Sequence, residues 1–93
     1  MKYIKTNTKP RVLQFLVEEK INLSDFKLLI KELASKLKSS VEWIAMPEAE
    51  IVKIKLSDGE LYAKLDFEYG LELVCDGLID YEITKIEAVL LNK

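Results

Sequence analysis

Between Ile51 and Asp76 apolar residues alternate with polar ones, and the alternation is broken only at two turn-forming sites. Val52, Ile54 and Leu56 are interleaved with Lys53, Lys55 and Ser57. After Asp58-Gly59, Leu61, Ala63, Leu65, Phe67 and Tyr69 are interleaved with Tyr62, Lys64, Asp66 and Glu68. A period of two is that of a half-buried strand. The stretch 51–76 therefore reads as three antiparallel strands joined by two turns. A two-residue loop at Asp58-Gly59 pairs Leu56 with Leu61, Ile54 with Ala63 and Val52 with Leu65. A slip of one residue would turn every one of these side chains to the other face. A three-residue loop, Glu68-Tyr69-Gly70, pairs Phe67 with Leu71, Leu65 with Leu73 and Ala63 with Cys75, and puts Gly70 at a left-handed position. The same register sets Lys53 opposite Lys64 and Asp66 opposite Glu72, like charges facing each other on the outer face.

Three strands with one apolar face are not stable alone, because the area they bury is offset by the entropy of ordering them. Helices must cover that face, and the flanking sequence supplies two. Phe26, Leu29, Ile30, Leu33, Ala34 and Leu37 form one stripe at helical spacing, with Ser24 as cap, Asp25 in the first turn and Leu23 with Leu28 as a hydrophobic staple. This predicts a helix over 25–38. After Asp76-Gly77 the period changes again, and Ile79, Ile83, Ile86, Val89 and Leu90 predict a second helix over 81–91, capped by Asp80. A strand over 82–91 is the competitor, since Ile and Val are common there. Residues 11–17 suit a strand or a helix, and their β-branched and aromatic content favours strand. Val41–Ala45 reads as a strand, 46–50 as a loop around Pro47, and 1–10 as an irregular or short edge segment. The expectation is one α+β domain over 1–93. It is a two-layer sandwich with an antiparallel sheet of four to five strands and both helices on one face.

The chemistry available is narrow. The chain has no histidine, so histidine-activated nucleophiles, histidine metal ligands and the usual neutral-pH general base are absent. Its three glycines fall at strand ends, not in a phosphate-binding loop. The single cysteine, Cys75, can form neither an internal disulfide nor a thiolate zinc site, and it is expected as a buried thiol on the inner sheet face. Asp66 and Glu72, with Glu68 nearby, could bind a divalent cation, but acids on an exposed strand face ordinarily serve to solvate it. No enzyme, cofactor or metal is expected.

Charge is unevenly divided. Residues 1–50 hold nine Lys/Arg against seven Asp/Glu, a net of +2, and residues 51–93 hold five against nine, a net of −4. The overall pI of about 5.2 argues against a dedicated nucleic-acid binder. No stretch is long enough to span a bilayer and no signal-peptide pattern is visible, so cytoplasmic residence is the expectation.

A small, acidic α+β chain with Leu65-Asp66-Phe67-Glu68-Tyr69-Gly70-Leu71-Glu72-Leu73 followed by a Leu/Ile-rich helix resembles, in general character over residues 51–93, the bacterial immunity proteins of polymorphic and contact-dependent toxin systems. The resemblance implies a protein partner, a cognate toxin domain such as a nuclease, whose active site is blocked. On the acidic half, Asp66, Glu68, Glu72, Asp76 and Asp80 are the candidate contacts, with Tyr62 and Lys64 on the same face. Two other readings stand beside this one. The first is a dimeric adaptor or secretion-chaperone-like protein using a sheet edge or Trp43. The second is an RNA-associated module using Lys27, Lys31 and Lys38. Monomer and homodimer both remain open.

Overall fold

A computed structural model describes residues 1–92. The chain runs β1 (Tyr3–Lys9), β2 (Val12–Val17), α1 (Leu23–Leu37), β3 (Val41–Met46), β4 (Ala49–Lys55), β5 (Glu60–Asp66), β6 (Gly70–Asp76) and α2 (Asp80–Leu91). It is an α+β fold with one antiparallel sheet in the order β1-β2-β6-β5-β4-β3. The predicted meander forms its centre. The sheet has six strands, not four to five, because 1–10 is not irregular. β1 pairs with β2 from Tyr3 opposite Val17 to Lys9 opposite Val12. Its Lys, Thr and Asn residues hide any apolar alternation. Pro10 and Arg11 make the turn, with Arg11 in a left-handed conformation (φ 65°). Residues 12–17 are a strand, as their composition favours.

Both meander registers differ from the expected ones by two residues. Ile54 faces Leu61 and Val52 faces Ala63, while Leu65 faces Leu71 and Ala63 faces Leu73. Because side chains alternate with a period of two, a shift of two keeps each strand residue on its face. The turn between β4 and β5 spans four residues, closed by the Leu56 amide donating to the Gly59 carbonyl at 2.9 Å. The turn between β5 and β6 starts one residue earlier than expected. The Asp66 carboxylate accepts from the amides of Glu68 (2.8 Å) and Tyr69 (2.9 Å), and this local bonding ends the strand. Phe67 is consequently exposed instead of lining the inner face, and Tyr69 is exposed in the turn. Gly70 keeps its expected positive φ, at 100°.

The helix ends are also corrected. Asn22, not Ser24, caps α1, its side-chain Oδ1 accepting from the Asp25 backbone amide at 2.8 Å. Leu28 is exposed, so no staple forms with Leu23. Lys38 ends the helix in a left-handed conformation. Asp80 lies inside α2 instead of capping it; the Glu82 carboxylate accepts from the Ile79 amide at 3.3 Å. The competing strand over 82–91 does not form. Residues 46–50 are not a loop either. Only Pro47 and Glu48 turn, and β4 starts at Ala49.

One hydrophobic cluster joins Phe26, Leu29, Ile30 and Leu33 of α1, Ile86, Val89 and Leu90 of α2, and the inward residues of β2, β4, β5 and β6. Cys75 is buried in it, as expected, and burial pushes its thiol pKa up to about 12. Each large side chain so buried stabilises the fold by roughly 1.5–3 kcal/mol. The two helices contact each other, and Lys85 donates to the Lys36 carbonyl at 3.2 Å, satisfying an end carbonyl of α1.

Two contacts make testable points in this frame. A Cβ on Gly59 would run into the Asp76 carbonyl and the Gly77 backbone, because the β4–β5 turn presses on the start of the β6–α2 connection. Gly59→Ala is expected to lower stability by about 1–3 kcal/mol in urea denaturation. On the other side, Glu87 of α2 accepts from Lys5 and from Tyr3 of β1, both at 2.8 Å. The hydrogen bond from Lys5, then that from Tyr3, outweighs partial burial and lowers the Glu87 pKa. A carboxylate with a depressed folded pKa stabilises above its unfolded pKa and loses that contribution as pH falls through the folded one. Glu87→Gln should therefore cost about 1 kcal/mol at pH 7, and its deficit relative to the native chain should shrink steadily below about pH 4.5.

Candidate interaction surface

The strand alternation that buries one sheet face leaves the other accessible. Reading across the strands from β3 to β1, one row is Ile44, Ile51, Lys64, Glu72, Leu16 and Ile4. The next is Glu42, Lys53, Tyr62, Val74, Gln14 and Thr6. None of these twelve side chains is buried. The centre is polar and both flanks carry bare apolar groups: Ile4 and Leu16 on one side, Ile44 and Met46 on the other.

The register correction changes the electrostatics of this face. Lys53 does not face Lys64; it faces Tyr62. Asp66 does not face Glu72; it faces Gly70, and Glu72 faces Lys64. Unlike charges now lie opposite each other, which is favourable where the expected pairs were not. Gln14 donates to Glu72 at 2.7 Å, Lys53 lies 3.4 Å from Glu60, and the Tyr62 hydroxyl donates to Glu60. The Tyr62 hydrogen bond, followed by the charge of Lys53, holds the Glu60 carboxyl below its usual range, and the same bond raises the Tyr62 pKa. Lys53 also sits 5.8 Å from the centre of the Tyr62 ring. The centre is a neutralised network instead of two like-charge pairs.

The seven sequence-derived candidates are only partly brought together. Tyr62, Lys64 and Asp66 alternate along β5 on the accessible face, and Glu72 joins them from β6. Asp66 is occupied as the turn acceptor, and its pKa is lowered first by the Tyr69 amide and then by that of Glu68. Glu68 is exposed in the turn at one end of the sheet, and Asp76, opposite Glu60, is exposed at the other. Asp80 is exposed in the first turn of α2, off the sheet. Asp76 also lines an open groove of about 620 Å³ with Arg11, Lys55, Asp58 and Glu60. Asp66 and Glu72 are not cross-strand neighbours, and no group of three or more acids or cysteines is placed to hold a metal among the described residues.

Sequence reasoning missed Glu60, Lys53 and Gln14 as partners in the central network, and the four exposed apolar residues. Two of those were readable. Leu16 lies between Phe15 and Val17, and Ile44 between Trp43 and Ala45, so each must face away from its buried-side neighbours. Trp43 is half exposed and meets Phe26 of α1 edge-to-face, with ring centres 5.9 Å apart. Lys27, Lys31 and Lys38 are all exposed on or just beyond α1. Among the described residues no helix is long and apolar enough to cross a membrane. No protein family, curated protein or solved structure matches the chain.

Proposed function

We propose that this chain is a non-catalytic protein-binding domain, a small cytoplasmic immunity-type inhibitor that docks on a cognate toxin domain through the accessible sheet face. In this reading the helices form a single layer over the opposite face, giving a two-layer sandwich with one working surface. The observation that carries it is that surface: a polar centre around Tyr62, Lys64 and Glu72 between exposed apolar flanks. An interface of this kind gains affinity from the apolar side chains and orientation from the polar ones. Glu68 at one end, and Asp76 and Asp80 at the other, would meet basic groups of a nuclease-like partner and speed its approach.

The adaptor reading has one observation in its favour, the exposed strand β3 with Trp43.

The test is capture of the partner from the native cell with a tagged chain, followed by association kinetics with that partner. Glu68→Lys and Glu72→Lys avoid the turn acceptor Asp66. Each is expected to slow association by about tenfold at low salt, with the difference fading as salt rises. Association unchanged by both would reject the acidic-surface reading. Loss of binding on Leu16→Asp or Ile44→Asp would place the partner on the same face.

A further inference from the structure

A sheet has two edges, and here they are built differently. β1 carries Lys5 and Lys9, breaks register between Asn7 and Lys9, and ends at Pro10. Lysines, irregular pairing and proline are the usual guards against another strand adding on. β3 is likewise followed by a proline, Pro47, but it carries no lysine and has no break in register. Val41-Glu42-Trp43-Ile44-Ala45-Met46 contains one charge and no proline, and it pairs with β4 over six unbroken positions. Five of its six residues are exposed, with Trp43 and Ile44 at 43% and Met46 at 50%. Such an edge is a template for a further strand.

We propose that β3 pairs antiparallel with β3 of a second copy, joining two six-stranded sheets into one of twelve strands. Charge selects this occupant. Beyond the first residue of β3 lie the exposed Lys36 and Lys38, and Lys55 ends the neighbouring strand on that side, while Lys53 there is met by Glu60 and lies opposite Glu42. Beyond the last residue lies Glu48, whose carbonyl accepts from the Phe67 amide, with Asp66 opposite Ala49 and Glu68 in the same turn region. The strand thus has a basic end and an acidic end. Antiparallel self-pairing sets basic against acidic at both ends at once; parallel self-pairing sets like against like. Keeping the buried faces of both copies on one side requires paired residues of equal parity, so the two-fold axis passes through Trp43 or Ile44. With the axis at Ile44 the two exposed Ile44 side chains lie opposite each other, and each Met46 lies opposite Glu42 of the second copy. The pairing draws Ile44 and Met46, one flank of the accessible face, into the seam, so the charge changes at Lys38 and Glu48 are the ones that test it apart from what binds that face.

Trp43, the only tryptophan, is a native reporter of this edge. The experiment is sedimentation equilibrium of the full chain from low to high micromolar concentration, with Trp43 emission read on the same samples. The expected result is a monomer–dimer transition with a parallel blue shift. Ile44→Lys should stay monomeric with an unchanged far-ultraviolet circular dichroism spectrum. Lys38→Glu and Glu48→Lys should each weaken the dimer about tenfold, and the double swap should restore it. A monomeric mass and fixed emission at the highest concentration would overturn the proposal. So would a dimer indifferent to both single charge changes.

Discussion

The row Phe15, Leu73, Ala63 and Val52 crosses four adjacent strands with essentially no solvent exposure, and the rest of the molecule depends on its burial. A small residue sits between larger ones, which leaves room for the helix side chains that share the cluster, Phe26 and Leu33 from α1 and Ile86 and Leu90 from α2. At the β3 end the row continues to Trp43, where the Phe26 ring meets it. At the β1 end it continues to Lys5, which reaches Glu87 of α2. The sheet is thus held to each helix by an apolar row whose ends are finished by an aromatic contact and an ion pair.

Burying one face leaves the other face of the sheet open, with β1 and β3 at its edges. On the accessible face the charges are paired internally: Lys64 opposite Glu72, Lys53 by Glu60, Gln14 on Glu72. Such a network is already satisfied in the free protein, so a partner must match its pattern to bind. The unpaired carboxylates at the ends of the sheet and the apolar flanks are the elements free to attract and to anchor. That division between a matched centre, charged ends and apolar flanks is what the proposed protein partner would read.

Much of the fold was legible because two periodicities are clean. The alternation over 51–76 and the helical stripe from Phe26 to Leu37 each name the residues that are buried. What was not legible follows from weaker signals. Register by two is invisible to alternation, since it preserves every face; it was set here by the Asp66 turn and by the packing of Gly59 against residues 76–77, neither of which periodicity reports. For 1–10 the irregular and edge-segment readings could not be separated, because an edge strand with Lys, Thr and Asn on both faces has no apolar period. The cap moved from Ser24 to Asn22 because both residue types cap well and only the chain path decides between them. The candidate surface suffered most from the register. Two like-charge pairs, one basic and one acidic, became one opposite-charge pair and a tyrosine–lysine contact.

The claim that the strand register neutralises this face is tested most directly by cross-strand nuclear Overhauser effects between β5 and β6. Contacts between Lys64 and Glu72, and between Tyr62 and Val74, are the predicted result. Contacts pairing Asp66 with Glu72, and Lys64 with Val74, would contradict it and restore the like-charge pair of Asp66 and Glu72.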